Sequence, residues 1–454
     1  MQERIRAYLE DVAASKGRTL SICLMGYGKT SIAILGAISE CDAVGEITVR
    51  HTGVLYAKPP DNVKVICGAT ALMDIYEDVV FASPSVRREN LSLPRGIEVI
   101  SDTELFFEER RENVFCVSGS DGKSTVTSIA SLLLSPTFPS LFTGGNLGTP
   151  LASASLRSDA YLLELSSFNL RYTAPNSQRA VLTNVTPNHL DWHDSLEEYE
   201  ECKRRLIVTA KEAVFPLSCP FNKRLAKSIH TFALVSLDHS DRELHEIYDT
   251  DHTLTLSDGV ILLDGEPLLK QEEVRLTGRH DLENLMSAIA LSHGYTSRER
   301  IAEVATAFNG LEHRCESITM DGKEYIDSSI DTSPERTKTT LTDIARRVHL
   351  ILGGRGKGLA PNAMREPLIK YAISISLYGE IADSLCRWLD SDTKLSEIPH
   401  AKFKALKEAI DNADSLAKVG DTVLLSPSAT AYGEFQSFTQ RGDFFKDYIS
   451  KKHG

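Results

Sequence analysis

Continuous apolar runs broken by Gly, Ser or Asn constrain this chain more than any other feature. LSICLMGYG, NVKVICGA, NVFCVSGSDG, AYLLELSS, RAVLTNVT, VHLILGGRG, AISISLYGE and DTVLLSPSA each read as a short strand with no polar alternation, followed by a helical pattern. A strand that is apolar on both faces has to be covered on both faces, which is the condition of a parallel sheet with helices packed on each side. Such sheets place ligands at the carboxyl ends of their strands, so the polar residues just after each run are where chemistry is expected.

At 454 residues the chain is too long for one ordinary core. The expectation is an α/β protein of three domains, each built on a mainly parallel sheet with flanking helices: residues 1–105, 106–310 and 311–454. The first and last are expected to be Rossmann-like and the middle one a phosphate-loop ATPase.

A content of 42% hydrophobic and 25% charged residues is that of a soluble globular protein. No run approaches the roughly 18 apolar residues of a membrane helix, so no membrane partner is expected. The opening MQERIRAYLEDVAASKG is a charged amphipathic helix without an apolar signal core, which predicts a cytoplasmic protein. A net charge of −13 argues against a nucleic-acid partner but leaves phosphorylated small ligands open, because local loops bind phosphate whatever the global charge. The eight Cys are scattered, with no CxxC, and read as buried reduced thiols rather than as a disulfide frame or a zinc site.

Residues 114–128, VFCVSGSDGKSTVTS, run from an apolar strand through Gly119, Ser120, Asp121, Gly122, Lys123, Ser124 and Thr125 into a helix. Glycines let backbone N–H groups turn toward phosphate oxygens, Lys123 can reach the β/γ-phosphates, and the Ser124 hydroxyl can ligate Mg²⁺. Val117 stands where the first Gly of the common NTPase loop would be, so the loop is shorter. Glu164, after YLLELSS, and His189, in NVTPNHLDW, stand at strand ends and suit Mg²⁺ beside a triphosphate. Each alone could equally be structural. HLDWH (His189, Asp191, His193) is weak evidence for zinc without a further ligand.

In the first block, LSICLMGYGKTS places Gly26 and Gly28 after a strand, with Ser31 where a third Gly would complete a dinucleotide fingerprint. The next strand ends in Arg50 and His51 rather than in the acid that would hold a ribose, which counts against NAD and a dehydrogenase. It suits a uridine diphosphate site, with Gly28, Lys29, Thr30 and Ser31 at a helix N-terminus facing the pyrophosphate.

GSDGKSTVTS, TGGNLGTP, YLLELSSFNL, TNVTPNHLDWH, YEECKRRL, TGRHDLENLMSA, LEHRCE and LGGRGKG occur in the order found in Mur ligases, and ELFF and LELSSFNL most resemble the D-glutamate-adding branch. The resemblance spans about residue 98 to the C-terminus. It implies an ATP-dependent amide-forming ligase that joins D-glutamate to UDP-N-acetylmuramoyl-L-alanine through an acyl phosphate, as a cytoplasmic monomer using ATP and two Mg²⁺. By the same resemblance, Lys123 and Ser124 match the phosphate-loop pair, and Glu164 and His189 the magnesium ligands. Lys203 matches a lysine whose carbamate supports the second Mg²⁺. Asn146 and Ser83 match contacts to the uridine substrate, and Asn284, Arg314 and Asp327 contacts to the nucleotide. Lys357 and Phe438 match residues near the incoming amino acid.

The chain departs from the pattern in places. Asp121 and Asp281 replace Asn. Ser329 stands where the D-glutamate form carries Lys, which would leave Thr332, Arg336 or Thr337 to hold the amino-acid carboxylates. Ala431 stands where a Ser is usual, with Thr430 as a substitute. Two rivals follow: a ligase with another acceptor, such as a folylpolyglutamate synthase-like enzyme, and a non-catalytic nucleotide-binding relative. Those ligases open directly with the ATPase domain, whereas here about a hundred residues of βα units precede it.

Overall fold

The computed structural model describes residues 1–52, 58–109, 111–146, 148–189, 192–276, 278–356 and 360–453. The chain forms two compact units, Met1–Phe308 and Asn309–Gly454.

The first unit holds two sheets. A five-stranded sheet runs in the order Lys64–Cys67, Val44–His51, Leu20–Met25, Val79–Ala82 and Glu98–Ile100, all parallel. A nine-stranded sheet follows. Thr231–Ser236, Glu212–Pro216, Arg179–Leu182, Val114–Ser118, Ala160–Glu164 and Leu141–Gly145 are parallel neighbours, and Thr250–Ser257 extends them. Val260–Leu263 and Glu266–Lys270 close that edge as antiparallel strands. Every residue of Val114–Ser118, Ala160–Glu164 and Arg179–Leu182 is buried, as strands covered on both faces require. The second unit has one sheet. Lys323–Asp327, Thr422–Ser428, Val348–Gly353, Ala372–Tyr378 and His400–Phe403 run parallel, and Glu316–Met320 is an antiparallel edge. The α/β expectation therefore holds throughout.

One apolar cluster runs from Ile5 and Leu24 through Phe106 to Leu163 and Leu206, so the two sheets of the first unit share a core. The short helix Asp102–Phe107 sits in that core, started by a reciprocal cap between Ser101 and Glu104. Its Asp102 carboxylate accepts the Ala152 amide at 3.0 Å, and the Phe106 ring meets Tyr161 edge-on at 5.0 Å. Residue 105 thus lies inside a packed helix.

Arg179 shows how the large sheet is tied to its helices. It is 4% exposed and donates through Nε to Glu212 at 2.6 Å. Its Nη1 donates to the Leu291 and His293 carbonyls at 2.8 Å, at the end of the helix Arg279–Ser292. A buried cation here satisfies orphan carbonyls at the negative end of a helix dipole. Arg179→Met is expected to cost about 3–5 kcal/mol in urea unfolding, since it takes the donor from those carbonyls and the cation from Glu212, which keeps only the neutral Gln178 Nε2 at 3.1 Å among the described residues; a loss below about 1 kcal/mol would show the network to be ornamental.

All eight Cys are unpaired, and Cys23, Cys41, Cys116, Cys202 and Cys219 are buried as expected. Cys67 and Cys315 are exposed and Cys386 is half-buried, which corrects the expectation for those three: Cys67 ends an edge strand, Cys315 lies in a loop, and Cys386 lies on the helix Ala382–Ser391 away from the core-facing Leu385 and Leu389. No helix among the described residues is long and apolar enough to cross a membrane.

Candidate active site

In the nine-stranded sheet the chain leaves Val114–Ser118, adds its next two strands on one side of it, then crosses to Arg179–Leu182 on the other. The carboxyl end of Val114–Ser118 is therefore a topological switch point, where flanking loops part and leave a crevice. Three segments meet there: the loop Gly119–Gly122, the end of Ala160–Glu164, and the loop after Arg179–Leu182.

The loop can take its path only with glycine at two positions. Gly119 has φ 148°, and a Cβ on it would lie 1.8 Å from Thr183 Oγ1. Gly122 has φ 77° and begins the helix Lys123–Leu134; a Cβ there would lie 2.3 Å from Asn284 Oδ1. Side chains that spacing did not single out hold the loop from behind. Ser120 Oγ donates to the Thr186 carbonyl at 3.0 Å and lies 2.7 Å from Tyr199 OH. The Asp121 amide donates to Asn184 Oδ1 at 3.0 Å, and Thr183 Oγ1 donates to the Asp121 carbonyl at 2.6 Å. The Asp121 side chain is exposed, and the Thr125 side chain is buried in the first turn of the helix.

Two lysines converge on one carbonyl. Lys123 Nζ donates to the Gly119 oxygen at 2.9 Å and to the Ser120 oxygen at 2.7 Å. Lys203, from the helix Leu196–Val208, donates to the same Gly119 oxygen at 2.8 Å and to Ser118 Oγ at 2.9 Å. Lys203 is 1% exposed. Burial, and then the nearby charge of Lys123, hold its ammonium well below the usual lysine range. Sequence alone would make Lys203 a surface residue of a charged helix; the fold makes it an interior amine at the phosphate loop.

Glu164 is likewise 1% exposed. Its oxygens accept from Ser124 Oγ at 2.7 Å and from Asn146 Nδ2 at 2.6 Å, both neutral donors. A buried carboxylate held, among the described residues, by a hydroxyl and an amide, with two oxygen-bearing side chains alongside, suits a hard divalent cation. His189 stands in the left-handed region at φ 54°, its ring 5.0 Å from that of Phe168. His193 turns away: its Nε2 lies 3.0 Å from Ser167 Oγ, and burial lowers its pKa. Asp191 lies outside the described residues.

In the five-stranded sheet, Gly28 caps the helix Lys29–Ile38, so Lys29, Thr30 and Ser31 form its first turn. Gly28 and Lys29 are exposed and Thr30 half-buried, whereas Ser31 Oγ is turned inward to the Gly26 carbonyl at 2.6 Å. Ser83 faces the same turn: a Cβ on Gly26 would lie 2.9 Å from Ser83 Cβ. Ser83 also lines a small cavity with Arg88, Phe168, Asn169 and Tyr172, between the two sheets of this unit. Arg50 does not face a ligand. It is 6% exposed, paired with Glu77 at 3.0 Å, and bound to the Met73 and Asp74 carbonyls.

The second unit gathers its own residues. Asp327 is fully buried, 2.6 Å from His313 Nδ1, and accepts the Ser329 amide at 2.8 Å. Ser329 Oγ donates to the Phe438 carbonyl at 2.8 Å. Thr332 stands just before the helix Pro334–Ile344, and Arg336 is exposed on its first turn. Thr337 is buried and donates to the Ser426 carbonyl at 3.2 Å. Thr430 Oγ1 is spent on the Arg355 carbonyl at 2.9 Å. Arg314 is exposed, and Lys357 lies outside the described residues. Sequence reasoning missed Arg441. Its guanidinium is fully buried and donates to Ser329 Oγ at 2.9 Å, the Ser329 carbonyl at 2.8 Å and the Ala429 carbonyl at 3.1 Å. The cation expected at position 329 is absent from the sequence there, yet a positive charge lies against that residue.

Comparison with known proteins points one way. Residues 117–292 match the Mur ligase middle domain. The UDP-N-acetylmuramoylalanine–D-glutamate ligase of Ruminiclostridium cellulolyticum is 31% identical over 431 residues, covering 90% of this chain and 88% of that one. The enzyme of the same name from Marinobacter nauticus is 29% identical, covering 96% and 99%. Among solved structures, a pseudomurein peptide ligase type C from Methanothermus fervidus superposes with a TM-score of 0.53 at 15% identity, covering 96% of this chain and all of that one. The MurF ligase from Thermotoga maritima in complex with ADP gives a TM-score of 0.52 at 14% identity, covering 96% of each.

Proposed function

Because this chain belongs to the Mur ligase family, we infer that it is an ATP-dependent ligase of peptidoglycan precursor synthesis, adding D-glutamate to UDP-N-acetylmuramoyl-L-alanine in the cytoplasm. The observation that carries the mechanism is the convergence at the switch point. Lys123 and Lys203 share the Gly119 carbonyl, and Ser124 and Asn146 share the Glu164 carboxylate.

The substrate carboxylate attacks the γ-phosphorus of ATP and ADP leaves. The amino group of D-glutamate then attacks the acyl phosphate, loses a proton and expels phosphate. Little covalent chemistry falls to the protein, so its work is positioning and charge. Lys123, released from the loop carbonyls, would follow the transferring phosphoryl group and offset its charge. The loop N–H groups and the helix N-terminus behind them would cradle the triphosphate. Ser124, Glu164, His189 and a carbamate on Lys203 would hold two Mg²⁺, which supply further charge neutralisation when bound. Burial disfavours the Lys203 ammonium, and the free lone pair of the neutral amine is what carbamate formation from CO₂ requires. Asn284, whose side chain lies beside Gly122, would meet the nucleotide. Gly28 to Ser31, Ser83 and Asn146 are assigned to the uridine substrate, Arg314 and Asp327 to ATP, and Thr332, Arg336, Lys357 and Phe438 to the amino acid. These assignments follow the family pattern, as does a division into three domains.

Phosphate release with ATP, Mg²⁺ and UDP-N-acetylmuramoyl-L-alanine, each candidate amino acid added in turn, tests this function. Release that depends on D-glutamate is the expected result. Release with another amino acid would reassign the acceptor to what Ser329 and Arg441 select, and none with any would remove the enzyme assignment. Glu164→Gln is expected to raise the Mg²⁺ concentration for half-maximal rate by about tenfold or more, as loss of a charged ligand does; an unchanged Mg²⁺ dependence would exclude Glu164 from the metal site.

A further inference from the structure

The edge of the second unit's sheet carries a cluster that the ligase reaction does not use. Cys386 and Asp390 lie one turn apart on the helix Ala382–Ser391, whose Leu385 and Leu389 face the core. His400 opens the edge strand His400–Phe403, beside Ile375 of Ala372–Tyr378. The Cys386 sulfur is 3.5 Å from Asp390 Oδ2, and His400 Nε2 is 3.1 Å from Asp390 Oδ1. One ligand atom from each residue lies within 4.8 Å of the other two.

The imidazole fixes the meaning of this arrangement. His400 Nδ1 is 2.7 Å from the Ile398 carbonyl, an acceptor, so Nδ1 carries the hydrogen. In the neutral ring Nε2 then has a lone pair, and that lone pair faces a carboxylate and a sulfur. Lone pair against anion is repulsive unless a cation lies between them. A proton there would satisfy the His–Asp pair, with the Cys386 S–H donating separately to Asp390 Oδ2 at 3.5 Å. A metal ion would satisfy all three groups, and a ring whose other N–H is anchored on a backbone carbonyl is the usual posture of a ligating histidine. The spacing agrees, since zinc bonds of about 2.0–2.3 Å in a tetrahedron put ligand atoms about 3.3–3.6 Å apart.

We propose that Cys386, Asp390 and His400 form a binding site for one borderline-soft divalent cation of the Zn²⁺ class, with a fourth position open to water. The ligand set excludes Mg²⁺, which takes oxygen donors, and favours Zn²⁺ among common cellular ions. Thiolate and carboxylate together match the charge of the ion. On binding, the Cys386 S–H bond gives way to a sulfur–metal bond and the proton goes to solvent, so uptake strengthens as pH rises. The charged groups alongside are Lys402, paired with Asp383 at 2.6 Å, and Arg387. The side chain of Asp390 is 60% exposed and that of His400 11%, which gives an ion a path in from one side. The bound ion would clip the end of the helix to the edge strand across residues 392–399.

The test uses the full-length chain, stripped with chelator and kept in excess Mg²⁺, titrated with Co²⁺ while near-ultraviolet absorption is followed. A thiolate-to-cobalt charge-transfer band that saturates at one equivalent and is displaced by Zn²⁺ is expected. Cys386→Ser should abolish the band with ligase activity unchanged. His400→Gln should keep the thiol but weaken Co²⁺ binding by about tenfold or more. Absence of a thiolate band at millimolar Co²⁺, or a band that survives Cys386→Ser, would overturn the assignment. The absorption and binding readouts do not depend on the identity of the ligase substrates.

Discussion

Lys203→Ala is expected to lower the D-glutamate-dependent rate by about a hundred- to a thousandfold, the usual effect of removing one preorganised charge from a transition state. The residue is interior, its amine donates to Ser118 Oγ and the Gly119 carbonyl, and burial with the Lys123 charge beside it favours the neutral form. The sign of its effect on stability separates function from folding. A lysine whose folded pKa is depressed binds fewer protons folded than unfolded, so it costs stability at every pH below about 10.4. Lys203→Met is therefore expected to melt no lower than the parent at neutral pH while losing the same activity. A short carboxylic acid should restore part of the rate to Lys203→Ala, by standing where the carbamate oxygens would. Full activity in the alanine variant would end the carbamate proposal. A melting temperature lowered by many degrees would mean that the lysine serves the fold.

The second large effect is expected from Lys123→Ala, which should lower the rate by about a thousandfold or more with little change in stability. Lys123 is half-buried and bonds loop carbonyls, so its removal leaves acceptors near solvent rather than a buried hole. The expected signature is a fall in kcat with a smaller change in KM for ATP, because the ammonium follows charge that develops in the transition state. A loss confined to KM would make Lys123 a ground-state contact. Lys123→Arg should not rescue, since a planar guanidinium does not fit a loop whose walls are backbone carbonyls a few ångströms apart.

Much of this site could be read from the chain because its signals are local. A strand of buried Val, Phe and Cys that runs into Gly119-Ser-Asp-Gly122-Lys123-Ser124 and then a helix is contained in some fifteen residues, and the loop conformation depends on glycines within it. The α/β class was legible for the same reason: strands apolar on both faces admit few other arrangements. Cys23 and Cys116 were legible as buried thiols because they sit in such strands, whereas Cys67, in an edge strand, shows that an apolar run does not bury its last residue.

Other features arise only across distance in sequence. Lys203 meets Ser118 over 85 positions, and Arg441 meets Ser329 over 112. In the helix LEEYEECKRRLIV the period puts Lys203 on the face of Tyr199, Cys202 and Leu206, but it does not show which groups of the phosphate loop pack over that face. The cation near Ser329 comes from a helix at the far end of the chain, and no spacing rule connects the two. The same holds for Cys386, Asp390 and His400, whose spacing matches no zinc motif and whose juxtaposition depends on an edge strand lying beside a helix. The sequence by itself determined the sheet type, the phosphate loop and the family, since each depends on contacts a few residues long or on ordered motifs. The tertiary structure alone decided which lysine has its ammonium disfavoured by burial, which serine lies against a guanidinium and which histidine lies near a thiol, since charge balance and partnership depend on burial and on neighbours brought together by the fold.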